Sequence, residues 1–123
     1  MKKDNKKKIK KYFNRYKIST KDKKLNILKS KILILGGSGL LGKNLIKKFR
    51  NKKINNIFSM SKKSSEFKVD LTKYQDAKKA ISKINPEIII NAAGLTSLNE
   101  CEKNPKKCFQ INTQIVKNIL KIK

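Results

Sequence analysis

Four of the chain's five glycines fall within seven residues, Gly36-Gly37-Ser38-Gly39-Leu40-Leu41-Gly42, directly after the apolar run Lys31–Leu35 (KILIL). A strand that turns at once into a helix needs backbone conformations that glycine tolerates best. The bare N–H groups of such a turn, together with the positive end of the following helix, suit a phosphate or pyrophosphate. Gly42, inside the first helical turn, lets that helix pack close to the sheet. The spacing Gly36-x-x-Gly39-x-x-Gly42 differs from G-x-G-x-x-G, and Lys43 is followed by Asn44, so the segment is not a P-loop. The fifth glycine, Gly94, ends the run Asn91-Ala92-Ala93-Gly94. Small residues at the carboxyl end of a strand leave room for a ligand in the crevice there.

Other chemistries are excluded by composition. The chain has no histidine, which removes histidine-based metal sites, Ser-His-Asp or Cys-His catalysis and histidine general bases. Its two cysteines, Cys101 and Cys108, cannot build a disulfide framework or a four-cysteine zinc site. Seven residues apart on a single helix, they would stand about 10 Å apart, beyond bridging distance. Both are therefore expected to be reduced, structural residues.

The elements that must position these groups alternate between strand and helix from Lys31 onward. Lys31–Leu35 reads as a strand buried on both faces. Leu41, Leu45, Ile46 and Phe49 recur at helical spacing. Ile54–Met60 reads as a second strand and Phe67–Leu71 as a short third one. Ala77, Ala80, Ile81 and Ile84 mark an amphipathic helix that Asn85-Pro86 should end. Glu87–Ala92 (EIIINA) is the clearest strand. A last helix is expected to bury Cys108, Ile111, Ile115, Ile119 and Ile122. Such alternation predicts an α/β fold, a parallel sheet covered by helices with right-handed crossovers.

The motifs Gly36-x-x-Gly39-x-x-Gly42, Asp70-Leu71-Thr72 and Asn91-Ala92-Ala93-Gly94 occur in the order and approximate spacing of the extended short-chain dehydrogenase/reductases. Within that superfamily the chain most resembles the dTDP-4-dehydrorhamnose reductase branch. Only about ten residues separate the second strand from Asp70, and Asn91 to Glu102 (NAAGLTSLNECE) is similar to the branch's stretch after the fourth strand. The resemblance covers Lys31 to Lys123 and implies a Rossmann-like, doubly wound parallel sheet that binds NAD or NADP. It implies that Gly36, Gly39, Leu40, Leu41 and Gly42 form the pyrophosphate turn. Asp70 would accept a hydrogen bond from the adenine amino group, with the Leu71 backbone beside it. Ala92, Ala93, Gly94 and Thr96 would border the nicotinamide-side ribose and pyrophosphate. Asn112 matches an asparagine that braces the sheet near the active site, although Ile115 stands where a glycine usually follows.

The acid that selects NAD at the end of the second strand is absent from Ser59-Met60-Ser61-Lys62-Lys63. Serine and lysine suit a 2′-phosphate, so NADP is expected over NAD. Reduction in this family depends on a Tyr-x-x-x-Lys pair on a later helix. Tyr74-Gln75-Asp76-Ala77-Lys78 has that spacing but lies before the fourth strand, on the sheet's flank, and is assigned no role. No residue here is assigned to catalysis. The expected function is therefore the dinucleotide-binding half of a truncated or split sugar-nucleotide oxidoreductase. It would meet a nucleotide-sugar only when completed by a C-terminal half; a complementing fragment or a homo-oligomer is a further expected partner. The alternative is a non-catalytic dinucleotide-binding or regulatory module. The fourth strand, lacking its next neighbour, is expected to leave an apolar edge prone to aggregation.

The remaining signal is charge. Across 123 residues the formal net charge is +25, yet 31 of the 33 basic residues are lysine. Lysine, isoleucine and asparagine are all encoded by A/T-rich codons, and nucleic-acid readers lean on arginine. Nucleic acid is accordingly disfavoured as a partner. Residues 1–30 form a separate basic extension, with Ile9, Tyr12, Phe13 and Tyr16 as a short apolar stripe. The stripe suits a membrane-surface or RNA-contacting arm, or a solvated extension. No run approaches the roughly 18 apolar residues of a membrane span. No apolar stretch follows the N-terminal lysines as in a secretory signal, so a cytoplasmic location is expected.

Overall fold

The computed structural model describes residues 29–122, so the stripe of Ile9, Tyr12, Phe13 and Tyr16 lies outside the described residues. Four strands form one parallel sheet: β1 (Ile32–Leu35), β2 (Ile57–Ser61), β3 (Phe67–Lys68) and β4 (Ile88–Asn91), in the order β3-β2-β1-β4. The central strand β1 pairs Ile32 with both Ile57 and Ile88, and Leu35 with both Met60 and Asn91. All four of its residues are buried, as a continuous apolar run between two helical layers requires.

Alternation along β1 divides the core in two. Ile32 and Ile34 pack with Ile54 and Ile57 against Leu45, Ile46 and Phe49 of α1 (Leu40–Asn51). Leu33 and Leu35 pack on the opposite face with Met60 and Leu71. That face is covered by Ala77, Ile81 and Ile84 of α2 (Tyr74–Ile84) and by Ile115. The expected α/β, Rossmann-like sheet with helices on both faces is therefore present.

The strand limits are tighter than the apolar runs. Lys53 adopts a left-handed backbone after α1, and the Ile54 amide donates to the Phe49 carbonyl, so Ile54 is buried in a turn rather than in β2. β3 keeps only two residues, and beyond it the chain turns at Asp70, whose carbonyl accepts from Lys73. Asn85 ends α2 in the left-handed conformation that asparagine tolerates.

The expected C-terminal helix is continuous over residues 105–122 but contains a π-helical turn, and a separate short helix precedes it. The segments are α3 (Leu98–Lys103), then, running on without interruption, α4 (Pro105–Phe109), the π-helical turn (Gln110–Gln114) and α5 (Ile115–Ile122). Asn104, with φ of -137° and ψ of 70°, is not helical, and Pro105 opens α4, because a residue before proline is pushed out of helical conformation. The break overturns the expectation for the cysteines. Cys101 on α3 and Cys108 on α4 stand with Cα atoms 5.0 Å apart and form a disulfide. Of the expected buried set, Ile115 alone is fully buried; Cys108, Ile111, Ile119 and Ile122 are half-buried. No helix among the described residues is long and apolar enough to cross a membrane.

Candidate functional site

The glycine turn sits where β1 ends. Gly36 has φ of 78°, and its amide donates to the Met60 carbonyl at 2.7 Å. A Cβ on Gly36 would come within 2.6 Å of the Ala92 carbonyl oxygen, so the turn is wedged against the end of β4. A Cβ on Gly42 would overlap the Gly36 carbonyl, which explains why the first turn of α1 carries a third glycine. Gly39 caps α1 without a side-chain hydrogen bond, and the first turn of the helix holds no acidic residue. The Leu40 and Leu41 side chains are 83% and 59% exposed. The first amides of a helix have no intrahelical acceptor, so this end offers donors and positive potential.

A cleft of about 250 Å³ opens beside the turn at the carboxyl ends of the strands. One wall is Gly36, Ser38 and Gly39; a second is Ala92, Ala93 and Gly94. The third is Ser61 and Lys62 with Val69, Asp70, Leu71 and Thr72, while Ile111 and Ile115 supply the apolar remainder. Of the eleven residues expected at a cofactor, seven line this cleft: Gly36, Gly39, Asp70, Leu71, Ala92, Ala93 and Gly94. Gly42 is buried beneath the turn, Leu40 and Leu41 lie outside the lining, and Thr96 is exposed on the loop after β4. Tyr74 and Lys78 are not in the lining; the Lys78 ammonium lies 5.8 Å from the Tyr74 ring centre on α2.

Asp70 is the charged centre of the cleft. Its Oδ1 accepts from the Thr72 hydroxyl at 2.6 Å and the Thr72 amide at 3.1 Å, and its Oδ2 pairs with Lys62 Nζ at 2.9 Å. The Thr72 hydroxyl and the Lys62 ammonium hold its carboxyl below the ordinary carboxylate value, against partial burial that pulls the other way.

Two asparagines hold the walls. Asn112, in the π-helical turn, accepts from the Leu95 amide at 2.7 Å and donates to the Leu95 carbonyl at 3.0 Å. A Cβ on Gly94 would come within 3.2 Å of the same Asn112 oxygen. Asn118, on α5, donates to the Leu71 and Thr72 carbonyls at 2.9 and 3.0 Å. Asn112 was legible in the sequence. Asn118, Ser38, Val69, Thr72 and the two isoleucines were not assigned to the site. Their signal, a polar residue within an apolar helical stripe and residues adjoining the motifs, is carried by position alone.

The residues present fit a dinucleotide. The turn excludes Cβ atoms where a pyrophosphate would approach, the adjacent helix end has no side-chain cap, and a carboxylate with a hydrogen-bonding turn stands at the far wall. No group of three or more potential metal ligands occurs among the described residues.

Known proteins agree with this geometry. Residues 30–122 match the family described as the RmlD substrate binding domain. A GDP-6-deoxy-D-talose 4-dehydrogenase of Aggregatibacter actinomycetemcomitans is 33% identical over 91 residues, which are 74% of this chain and 29% of that protein. The fold is similar to a hypothetical dTDP-4-dehydrorhamnose reductase from Sulfolobus tokodaii, with TM-score 0.67 and 30% identity over 75% of this chain and 34% of that one. It is also similar to the dTDP-4-dehydrorhamnose reductase of Bacillus anthracis in complex with NADP, with TM-score 0.64 and 27% identity over 73% and 30%. The chain thus spans about a third of the length of the relatives it matches. With three quarters of its length matched, and the glycine turn and parallel sheet in place, the chain belongs to the RmlD substrate binding domain family, which includes sugar-nucleotide reductases and dehydrogenases.

Proposed function

We propose that this chain supplies the dinucleotide-binding half of an NAD(P)-dependent sugar-nucleotide oxidoreductase of the dTDP-4-dehydrorhamnose reductase type. The observation that carries the reading is the cleft itself. The uncapped end of α1 and the Asp70–Lys62 pair face one cavity at the carboxyl ends of β1, β2 and β4. In this reading the backbone of Gly39, Leu40 and Leu41 receives the pyrophosphate. Asp70 and Leu71 meet the adenine, and Ala92, Ala93, Gly94 and Thr96 border the nicotinamide side. The dinucleotide supplies hydride for the keto carbon of a nucleotide-linked deoxysugar. This chain binds and orients it. The Tyr-x-x-x-Lys pair and the sugar site come from polypeptide outside these 123 residues, in a longer or split enzyme. The proposed setting is the cytoplasm, as for the nucleotide-linked substrate that the reading requires.

NADP is the proposed form. Lys62 directly follows β2, and its ammonium reaches the cleft wall. A 2′-phosphate offered there gains a charge-assisted bond, and no acid at the end of β2 competes to bind a 2′-hydroxyl. Dissociation constants for NADPH and NADH test the reading. NADPH should bind more tightly, and Lys62→Ala should weaken NADPH by about tenfold while changing NADH much less. Tighter binding of NADH by the unaltered chain would overturn the preference, and binding of neither would overturn the dinucleotide reading.

A further inference from the structure

A fully buried amide on α5 has no packing reason to be polar. Asn118 is 1% exposed and lies in the stripe where Ile115 packs into the core. Leucine would serve burial better, because a buried amide costs free energy unless its hydrogen bonds are made. Here they are made. Nδ2 donates to two consecutive carbonyls, Leu71 and Thr72, 47 and 46 residues away in sequence. Oδ1 accepts from Gln114 Nε2 at 2.8 Å, which fixes the orientation of the amide.

Those two carbonyls belong to the turn that holds Asp70. Thr72 supplies both donors to Asp70 Oδ1, leaving Oδ2 to face Lys62. Asp70, Leu71 and Thr72 all line the cleft, whereas Asn118 does not. We infer that Asn118 is a positioning residue for adenine recognition, acting through the Leu71–Thr72 backbone to set the direction of the Asp70 carboxylate. The inference rests on the dinucleotide reading above. It adds that recognition at the adenine end depends on a side chain that never touches the ligand.

The test uses the full chain with three probes: NADPH, 5′-AMP for the adenine side and nicotinamide mononucleotide for the other. Asn118→Leu keeps approximate volume and removes the donor. A folded Asn118→Leu chain should lose about tenfold in affinity for NADPH and 5′-AMP, with nicotinamide mononucleotide unchanged. In the same variant the Asp70 carboxyl, followed by NMR titration, should move up toward the ordinary carboxylate value. Should that variant fail to fold, Gln114→Leu decides, with a smaller loss for 5′-AMP and a carboxyl shift in the same direction. Unchanged 5′-AMP affinity and unchanged Asp70 titration in a folded variant overturn the inference. An equal loss for both half-probes also overturns it, as general loosening. If the unaltered chain binds neither NADPH nor 5′-AMP, the dinucleotide reading falls and this inference with it. If the unaltered chain binds and the variants match it, this inference alone falls.

Discussion

Thr72 does more for Asp70 than the neighbouring lysine does. Its hydroxyl bond is the leading cause of the lowered carboxyl pKa, ahead of Lys62, whose side chain is largely exposed. The folded chain therefore takes up this proton less readily than the unfolded one. The resulting stabilisation is fully present above the ordinary carboxylate value, about 3.9, and is lost as pH falls through the lower folded value. Replacing Thr72 by valine removes the hydroxyl but keeps the shape. The Asp70 midpoint in the folded chain should then rise toward the ordinary value, and the acid-side loss of stability attributable to Asp70 should shrink. Carboxyl-carbon NMR and urea unfolding between pH 2 and 5 measure the two effects, and an unmoved midpoint would contradict the assignment. At this scale the sequence was informative wherever a residue type has few uses. A glycine at Gly36 or a lone acid at Asp70 stands out among lysines. Asn118 does not, since an amide in an apolar stripe carries no spacing that names a carbonyl 47 residues away.

Strands and helices were legible from their apolar periods, and their ends were not. β1 needed four apolar residues to be buried twice over, and that run is visible in the sequence. The limits of β2 and β3 depend on turn geometry at Lys53 and Asp70, which periodicity does not report. The C-terminal helix shows the same limit more sharply. Its isoleucine spacing correctly marked the continuous run after Pro105, while Asn104-Pro105 carried the signal that the helix does not reach back to Cys101. The π-helical turn at Gln110–Gln114 has no distinct residue pattern, yet it holds Asn112 against Leu95. The disulfide follows from the break, and it clips α3 to α4 immediately after the Leu95 loop. Chain purified in air should show no free thiol on denaturation and two after reduction. Closing a loop with sequence separation 7 should contribute about 2 kcal/mol, which Cys101→Ser would remove in urea unfolding. Two reactive thiols in the unreduced chain would show that α3 and α4 are not clipped.

The molecule as a whole balances a high charge against an incompletely covered sheet. Among the described residues the lysines are exposed, and like charge at net +25 keeps copies apart at low salt. Among the described residues, β4 is paired on one side only, and its three isoleucines are half-buried rather than buried. Phe109, Val116 and Leu120 are exposed on the C-terminal helical segments. An unpaired parallel edge of this composition invites association. Sedimentation velocity should therefore show self-association that grows with salt, as screening removes the repulsion. A chain that remains monomeric at every salt concentration would contradict this. Strand–helix alternation made the parallel α/β sheet legible, whereas the order β3-β2-β1-β4, which places β4 beside β1, departs from chain order and is not carried by alternation alone. The +25 charge was the most visible feature of the sequence and has the least to do with the cleft, where, among the described residues, Lys62 is the sole lysine in the lining.

One helical stretch near the end of the described chain, from Asn112 to Asn118, touches both sides of the cleft, at Leu95 and at Leu71 and Thr72. That fixes a temporal order. During synthesis the glycine turn and Asp70 leave the ribosome well before Asn118, and domains form as the chain emerges N-terminus first. A nascent chain stopped short of Asn118 carries every binding motif but lacks the span that ties the two walls together. Competence to hold a ligand should therefore arrive late and in a single step, once that last segment folds across the opening.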